Sequence, residues 1–455
     1  MDFQAFQAAV ERQARAAGLA DYDLYYSRHA FSQYKPFEGK IDKFTGNTSI
    51  GVCFRCLIGG KMGNAYTQLL DEPEAARLVE QAIQSAQAVD GKDPEFLYHP
   101  GEEMSGRVPL PSPPEPCPPP APPEMVRTAL ELERRTLLAD PQVSGVAEAA
   151  FFYEESEVRI ANSHGVNSTH RAALAGGYVE PYIQKDGEKF TATGIFYAPD
   201  ASRMEADTSI REAVGEAIDS IEARSMPSGQ YPVLFTNLQM AALLETFFSV
   251  FTAENTQKGL SLLAGREGEA VASVAVTLLD DPAPAGGPIY SAFDDEGVPT
   301  YKKAVIQKGK LENLLYNLQT AHKAGRSTTA NAYRSSYAAK VSTAPAAFYL
   351  LPGDSSREEL LEQMGDGVMI CRLNGLHAGA NTLSGDFSLD CSGYRIRQGR
   401  RAEAVNQITV SGNFYQLLKD VVAVGNDLRF DLPDGRSAFG SPCVLVSGLS
   451  IADKG

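Results

Sequence analysis

Cysteine is scarce: six in 455 residues. That excludes a disulfide framework and agrees with a reducing compartment. Histidine is equally scarce, and His29, His99, His164, His170, His322 and His377 are widely scattered. None has the His-Glu-x-x-His spacing that sets two imidazoles on one helical face for zinc. There is no Gly-Lys-Ser or Gly-Lys-Thr phosphate loop and no Gly-x-Ser-x-Gly nucleophile elbow. Positive charge is in deficit, with 41 Lys plus Arg against 57 Asp plus Glu and a net charge of −16. Such a balance repels a phosphate backbone, and no dense basic run offsets it, so no direct nucleic-acid partner is expected. The longest apolar stretches, around Met240–Leu244 and Ala346–Leu351, fall far short of the ~20 residues that cross a bilayer, and no membrane span is expected. The start, Met1-Asp2-Phe3-Gln4, carries an acid where a secretory signal carries Lys or Arg. A cytoplasmic protein is expected.

Apolar residues make up 43% and charged residues 22%, the composition of a globular chain long enough for two or more domains. The clearest boundary is proline: ten of the fifteen residues from Pro109 to Pro123. Proline supplies no backbone donor, so residues 108–123 are predicted to be a semi-rigid spacer. Residues 1–107 read as an N-terminal α+β lobe, with an amphipathic helix Phe3–Ala17, strands Tyr22–Ser27 and Ile50–Ile58, and a helix Pro73–Val89. Cys53 and Cys56 have redox or zinc spacing, but residues three apart on a strand point to opposite faces, which predicts buried or edge thiols. Residues 124–229 read as the second part of that lobe. They carry a helix Glu124–Ala139, strands Val146–Tyr153 and Val158–Ser163, a turn at His164-Gly165 and a long helix Ser202–Ala223. Strand, turn and further strands recur in both parts, a faint sign of duplication.

Residues 230–455 read as a larger lobe rich in antiparallel strands flanked by helices, and the fold class is α+β. Strands are predicted at Gln230–Thr236, Ala270–Leu278, Ala304–Gln307, Ala346–Leu351, Val368–Leu373 and Ile408–Val410. Helices are predicted from Leu238 behind an Asn237 cap, after the capping box Ser355-Ser356-Arg357-Glu358, and over Phe414–Val422 behind Asn413. Polar, glycine-bearing turns stand out at Asp294–Pro299, Asn381–Ser388, Val410–Asn413 and Val424–Leu428. Glycine permits positive φ and close backbone approach, as an extended peptide ligand requires.

These turns, in this order, with Gly393, Arg397-Gln398-Gly399-Arg400 and the terminal Gly440-Ser441-Pro442, resemble the TldD/PmbA family over essentially the full chain. Its members include a cytoplasmic metallopeptidase subunit and a sister also called a modulator of DNA gyrase. For the catalytic TldD branch the resemblance implies a helix bearing His-Glu-x-x-x-His and a later Cys as zinc ligands. Here the matching helix has Leu244 and Ser249 at the two histidine positions, with Glu245 where the general base stands. The stretch after Asp427 has no Cys, and Cys443 falls beyond Pro442 in the final strand. The resemblance therefore places the chain in the PmbA (TldE-like) branch, with no catalytic residue, metal ligand or cofactor of its own. Without zinc there is no acidified water for Glu245 to use, so it is expected to be a helix carboxylate with a structural partner.

The implied function is that of a metal-free partner in a heterodimer with a TldD-like zinc peptidase subunit, enclosing an unfolded peptide. Self-association is the other implied assembly. Asn381, Leu383, Ser384, Gly385, Asp386, Phe387, Ser411, Gly412 and Asn413 are the expected peptide-binding residues, offering backbone hydrogen bonds to the peptide as to an added strand. One alternative is a stand-alone peptide- or protein-binding regulatory module. Another is a hydrolase using Ser384 or Ser411 with Asp386.

Overall fold

The computed structural model describes residues 1–89, 94–101, 110, 113 and 115–454. Seven antiparallel strands form the first sheet, and two long hairpins dominate it: Tyr22–Phe37 with Lys40–Ile58, and Gly145–Asn162 with Asn167–Lys185. The strands Tyr22–Phe37 and Gly145–Asn162 pair with each other, Asp23 opposite Asn162 and Tyr34 opposite Phe151. Each half runs helix, two long strands, short strand or strands, helix: Phe3–Ala16 to Glu72–Ala88 in the first and Pro122–Leu137 to Asp207–Asp219 in the second. The repeated order matches the echo in the sequence. The strands are two to three times longer than predicted because their outer halves are polar and only partly buried. Pairing, not apolar periodicity, holds those halves.

Helices Phe3–Ala16 and Glu72–Ala88 share a core with Phe54 and Cys56, while Cys53 lies in a different cluster with Tyr25 and Phe293. The two thiols do point apart. Proline fits the first turn of a helix, which needs no backbone donor there, and Pro122 and Pro123 open Pro122–Leu137. The spacer is thus shorter at its C-terminal end than predicted, and residues 108, 109, 111, 112 and 114 of it lie outside the described residues. The long helix predicted at Ser202–Ala223 is Asp207–Asp219 with a 3-10 turn on each side.

In the C-terminal half, Arg400–Asn413, Asp386–Arg397, Gly367–Asn374, Gly229–Phe235 and Val444–Asp453 pair in that order, and the last returns to the first. A five-stranded barrel results, with edges removed by closure. A second sheet runs Lys310–Leu311, Lys303–Gln307, Leu278–Asp281, Ala347–Leu350, Ala438–Ser441 and Arg429–Phe430. The strand predicted at Ala270–Leu278 begins only at Leu278. The capping box is Ser356 with Glu359, one residue later than predicted. Asn413 caps its helix as predicted, its side chain accepting the Gln416 N–H. Among the described residues no helix is long and apolar enough to cross a membrane.

Helix Asn237–Phe247 belongs to the largest core cluster, together with barrel residues Val233, Phe235, Ile370 and Val410 and with Phe348 of the second sheet. Phe247 stacks on Phe414 at 4.5 Å and meets Phe387 at 6.4 Å. Phe247→Ala should lower unfolding stability by about 3–5 kcal/mol, read from urea midpoints. An unchanged midpoint would contradict this placement.

Candidate functional site

Helix Asn237–Phe247 carries the motif positions. It follows strand Gly229–Phe235 directly, and Asn237 ties it to the distant Gly425–Leu428 turn by donating its amide to the Asp427 carbonyl, 3.2 Å. Leu244 has 0% exposure and packs into the core. Ser249 lies in the following 3-10 turn, where its carbonyl accepts the Thr252 hydroxyl, 2.8 Å. Glu245 is half-buried, and its carboxyl is raised above the ordinary range by burial, then by Asp431 and Asp434. The structural partner expected for Glu245 is not among the described ion pairs, because its charged neighbours are acidic. Cys443 faces elsewhere: its backbone N–H and its thiol both donate to Asp427, at 2.8 and 3.0 Å, and burial pushes the thiol up to about 12. These side chains do not fit a zinc ion. Two are apolar or uncharged, and the thiol is engaged with a carboxylate. Among the described residues no three His, Cys, Asp or Glu side chains gather at one point that would hold a metal.

The nine expected peptide-binding residues come together at one end of the hairpin Asp386–Arg397/Arg400–Asn413, next to the motif helix through the Phe247–Phe387 contact. Asn381 Oδ1 accepts the Leu383 and Ser384 N–H groups, at 2.9 and 3.2 Å, closing a turn in which Gly385 has φ 84°. The Asn413 amide donates to the Ser384 carbonyl and to Asp386 Oδ1, at 2.8 and 2.9 Å. Ser388 and Ser411 hydroxyls meet at 2.9 Å. Phe387 is buried, and Gly412 is flush against it and Leu449, where a Cβ would fall at 2.7 Å from Leu449. The exposed members are Asn381, Leu383 and Asp386. The expectation of free backbone for an added strand does not hold at Phe387, whose two edges pair with Gly412 and with Ala380. What this end exposes of the nine is the side chains of Asn381, Leu383 and Asp386. Nor do Ser384 and Ser411 form a hydrolase pair with Asp386: Ser384 Oγ accepts the Asp386 N–H, Asp386 takes the Asn413 amide, and no histidine joins them among the described hydrogen bonds.

The turn Asp294–Pro299 does more than its composition suggested. Asp294, Asp295 and Glu296 are 4%, 2% and 6% exposed, and buried carboxylates need partners. Asp294 accepts the Glu296, Val298 and Ala332 N–H groups, each at 3.0 Å. Asp295 accepts the Arg334 N–H at 2.7 Å and pairs with the Arg436 guanidinium. Glu296 accepts the Leu318 N–H at 2.9 Å. From the first sheet come Tyr25, the buried Asp23–Arg55 pair and His170, whose imidazole is lowered to about 3 by burial and then by Arg436. Arg334 lies over the Tyr25 ring at 4.7 Å. Burial first, and Asp294 second, hold the Glu296 carboxyl well above the ordinary range. Sequence reading marked this turn but missed Asp23, Arg55, Arg334 and Arg436. Three consecutive acids in a glycine turn were the available signal that distant cations would converge there.

Three family models match the chain: PmbA/TldA metallopeptidase domain 1 over residues 22–86, the central domain over 115–222 and the C-terminal domain over 228–453. A metalloprotease from Methanothermobacter thermautotrophicus is 28% identical over 87% of this chain and 86% of its own. A crystal structure of a supposed modulator of a DNA gyrase from Thermotoga maritima superposes with a TM-score of 0.88 at 30% identity, covering 99% of this chain and all of that one. TldE from Thermococcus kodakarensis has the same fold, with a TM-score of 0.87 at 20% identity over 98% of this chain and 100% of that one.

A carboxyl whose pKa is raised on folding binds its proton more readily in the folded state, so its contribution favours folding most at low pH and is lost as pH rises through the raised value. Glu296→Gln should therefore gain stability relative to the parent as pH goes from about 5 to about 9, by an amount on the order of 1 kcal/mol or more. Urea midpoints at both pH values measure this. A constant difference would mean that Glu296 is ionised throughout.

Proposed function

The chain belongs to the PmbA/TldD metallopeptidase family, and we propose that it is the metal-free partner of a TldD-type zinc metallopeptidase, binding and enclosing an unfolded peptide that the other chain cuts. The observation that carries this reading is Leu244: the position where a zinc ligand would stand is an aliphatic side chain with 0% exposure, sealed in the core. Glu245 remains, but a carboxylate without a metal-bound water has no acidified nucleophile to act on. Its raised carboxyl beside Asp431 and Asp434 leaves an acidic lip at the half-buried face of the helix.

Within this reading the exposed Asn381, Leu383 and Asp386 contact the peptide or the partner's site, while Gly385, Phe387, Gly412 and Asn413 shape the turn that presents them. The surroundings are cytoplasmic, in keeping with free cysteines throughout the chain. The alternative of a stand-alone binding module predicts peptide binding without any partner-dependent cleavage.

The test mixes this chain with a TldD-like subunit, checks co-elution, and follows cleavage of an unfolded peptide. Cleavage should require both chains, and Asp386→Ala with Leu383→Ala should lower the rate of the mixture several-fold without unfolding this chain. Equal cleavage by the TldD-like chain alone would refute the partnership.

A further inference from the structure

A cleft of about 520 Å³ lies where the first sheet's last helix meets the barrel. Its position follows from the topology. Strands Gly229–Phe235 and Gly367–Asn374 are parallel neighbours, and the cleft opens at their carboxyl ends, beside the start of helix Asn237–Phe247.

Its walls are charged. Glu212, Glu216 and Asp219 stand at i, i+4 and i+7 on one face of helix Asp207–Asp219. Each meets an arginine from the other side: Glu212 with Arg429 at 2.9 Å, Glu216 with Arg372 at 3.2 Å, and Asp219 with Arg401. Two more guanidinium groups line the same space. Arg211 touches only the Thr208 hydroxyl, 3.2 Å, among the described hydrogen bonds. Arg357 pairs with Asp427 at 3.0 Å, and its buried Nε has no partner. Five guanidinium groups thus face three lining carboxylates; even with Asp427 counted behind Arg357, one positive charge is left, in a chain whose net charge is −16. A concave, cationic site on an acidic protein concentrates anions, and planar guanidinium groups bind carboxylate and phosphate oxygens in pairs.

We propose that this cleft is a binding site for a small ligand bearing an oxyanion, a carboxylate or phosphate group received by Arg211, Arg357 and Arg372. The ligand sits between the two halves of the molecule and couples their positions, because Arg211 stands on helix Asp207–Asp219 of the first half and Arg372 of the barrel already forms the cross-link to Glu216. The site is separate from the exposed turn at Asn381–Asp386 and does not depend on the partnership proposed above.

The test uses the purified full chain alone, in phosphate-free buffer of low ionic strength, titrated calorimetrically with inorganic phosphate, with trialanine, and with trialanine amide. Binding of phosphate alone assigns a phosphate-bearing ligand; binding of trialanine with loss on amidation assigns a peptide or small carboxylate. Either supports the site, provided that affinity falls about tenfold in Arg372→Gln and several-fold in Arg211→Gln, and weakens as salt is raised. Arg372→Gln leaves Glu216 without its partner and its fold is checked by circular dichroism; Arg211 is an exposed helical side chain, so its variant keeps the test valid if the other unfolds. No binding of phosphate or trialanine, or binding that both variants leave unchanged, overturns the proposal.

Discussion

Desolvation of one helix constrains the molecule more than any other single feature. Asn237–Phe247 lies between the barrel and the second sheet, with Met240, Ala241, Leu243, Leu244 and Phe247 at 0% exposure. A hydrated ion could not be accommodated on that face without removing the packing that joins the two sheets. The aromatic cluster of Phe247, Phe251, Phe348 and Phe414 continues the same core from barrel to sheet. A helix so committed to packing is suited to holding nearby loops in place, and the turn at Asn381–Asp386 is positioned from it through Phe387.

Where the first sheet meets the C-terminal half, Tyr25, Val158, Ile160 and Val166 pack with Phe293 and Val298, and a buried ion pair lies on each side. On the C-terminal side Asp295 pairs with Arg436 and accepts the Arg334 N–H, and on the side of the first sheet Asp23 pairs with Arg55. Buried ion pairs of this sort contribute little net stability compared with apolar packing, and they penalise misplacement strongly, since one unpaired buried charge costs several kcal/mol. Each pair therefore fixes the geometry of its own half, and the halves meet through the apolar cluster and through Arg334 over the Tyr25 ring. Ion pairs do cross between the halves along helix Asp207–Asp219, where Glu212 meets Arg429 of the second sheet and Glu216 and Asp219 meet Arg372 and Arg401 of the barrel. Those pairs are partly exposed, each worth about 0–1 kcal/mol, and are free to exchange partners with an incoming anion.

Much of this was legible in the sequence. The α+β class, most of the helices, the strands around Val233, Ile370 and Val444, and the opposed faces of Cys53 and Cys56 all follow from periodicity and caps. The glycine turns gave the family. Strand lengths were not legible, because residues such as Thr45, Asn47 and Ser49 are polar and are held by pairing to Gln33, Phe31 and His29. Barrel closure rests on four paired residues, Ile408–Ser411 with Ser450–Asp453, which no local pattern announces. The candidate site was half visible: the apolar and uncharged side chains at Leu244 and Ser249 stand in the sequence, whereas the acidic neighbours of Glu245 and the internal pairing of Phe387 depend on contacts between segments far apart in sequence. The Glu212, Glu216 and Asp219 spacing was present in the sequence, but its meaning needed the arginines that only folding brings to it.

The central claim is that this chain positions and does not hold a metal, and zinc binding tests it most directly. Equilibrium dialysis of the purified chain against zinc, followed by elemental analysis and melting with and without chelator, should give well below one zinc per chain and a melting temperature indifferent to the chelator. One tightly held zinc per chain, whose removal lowers the melting temperature, would contradict the account.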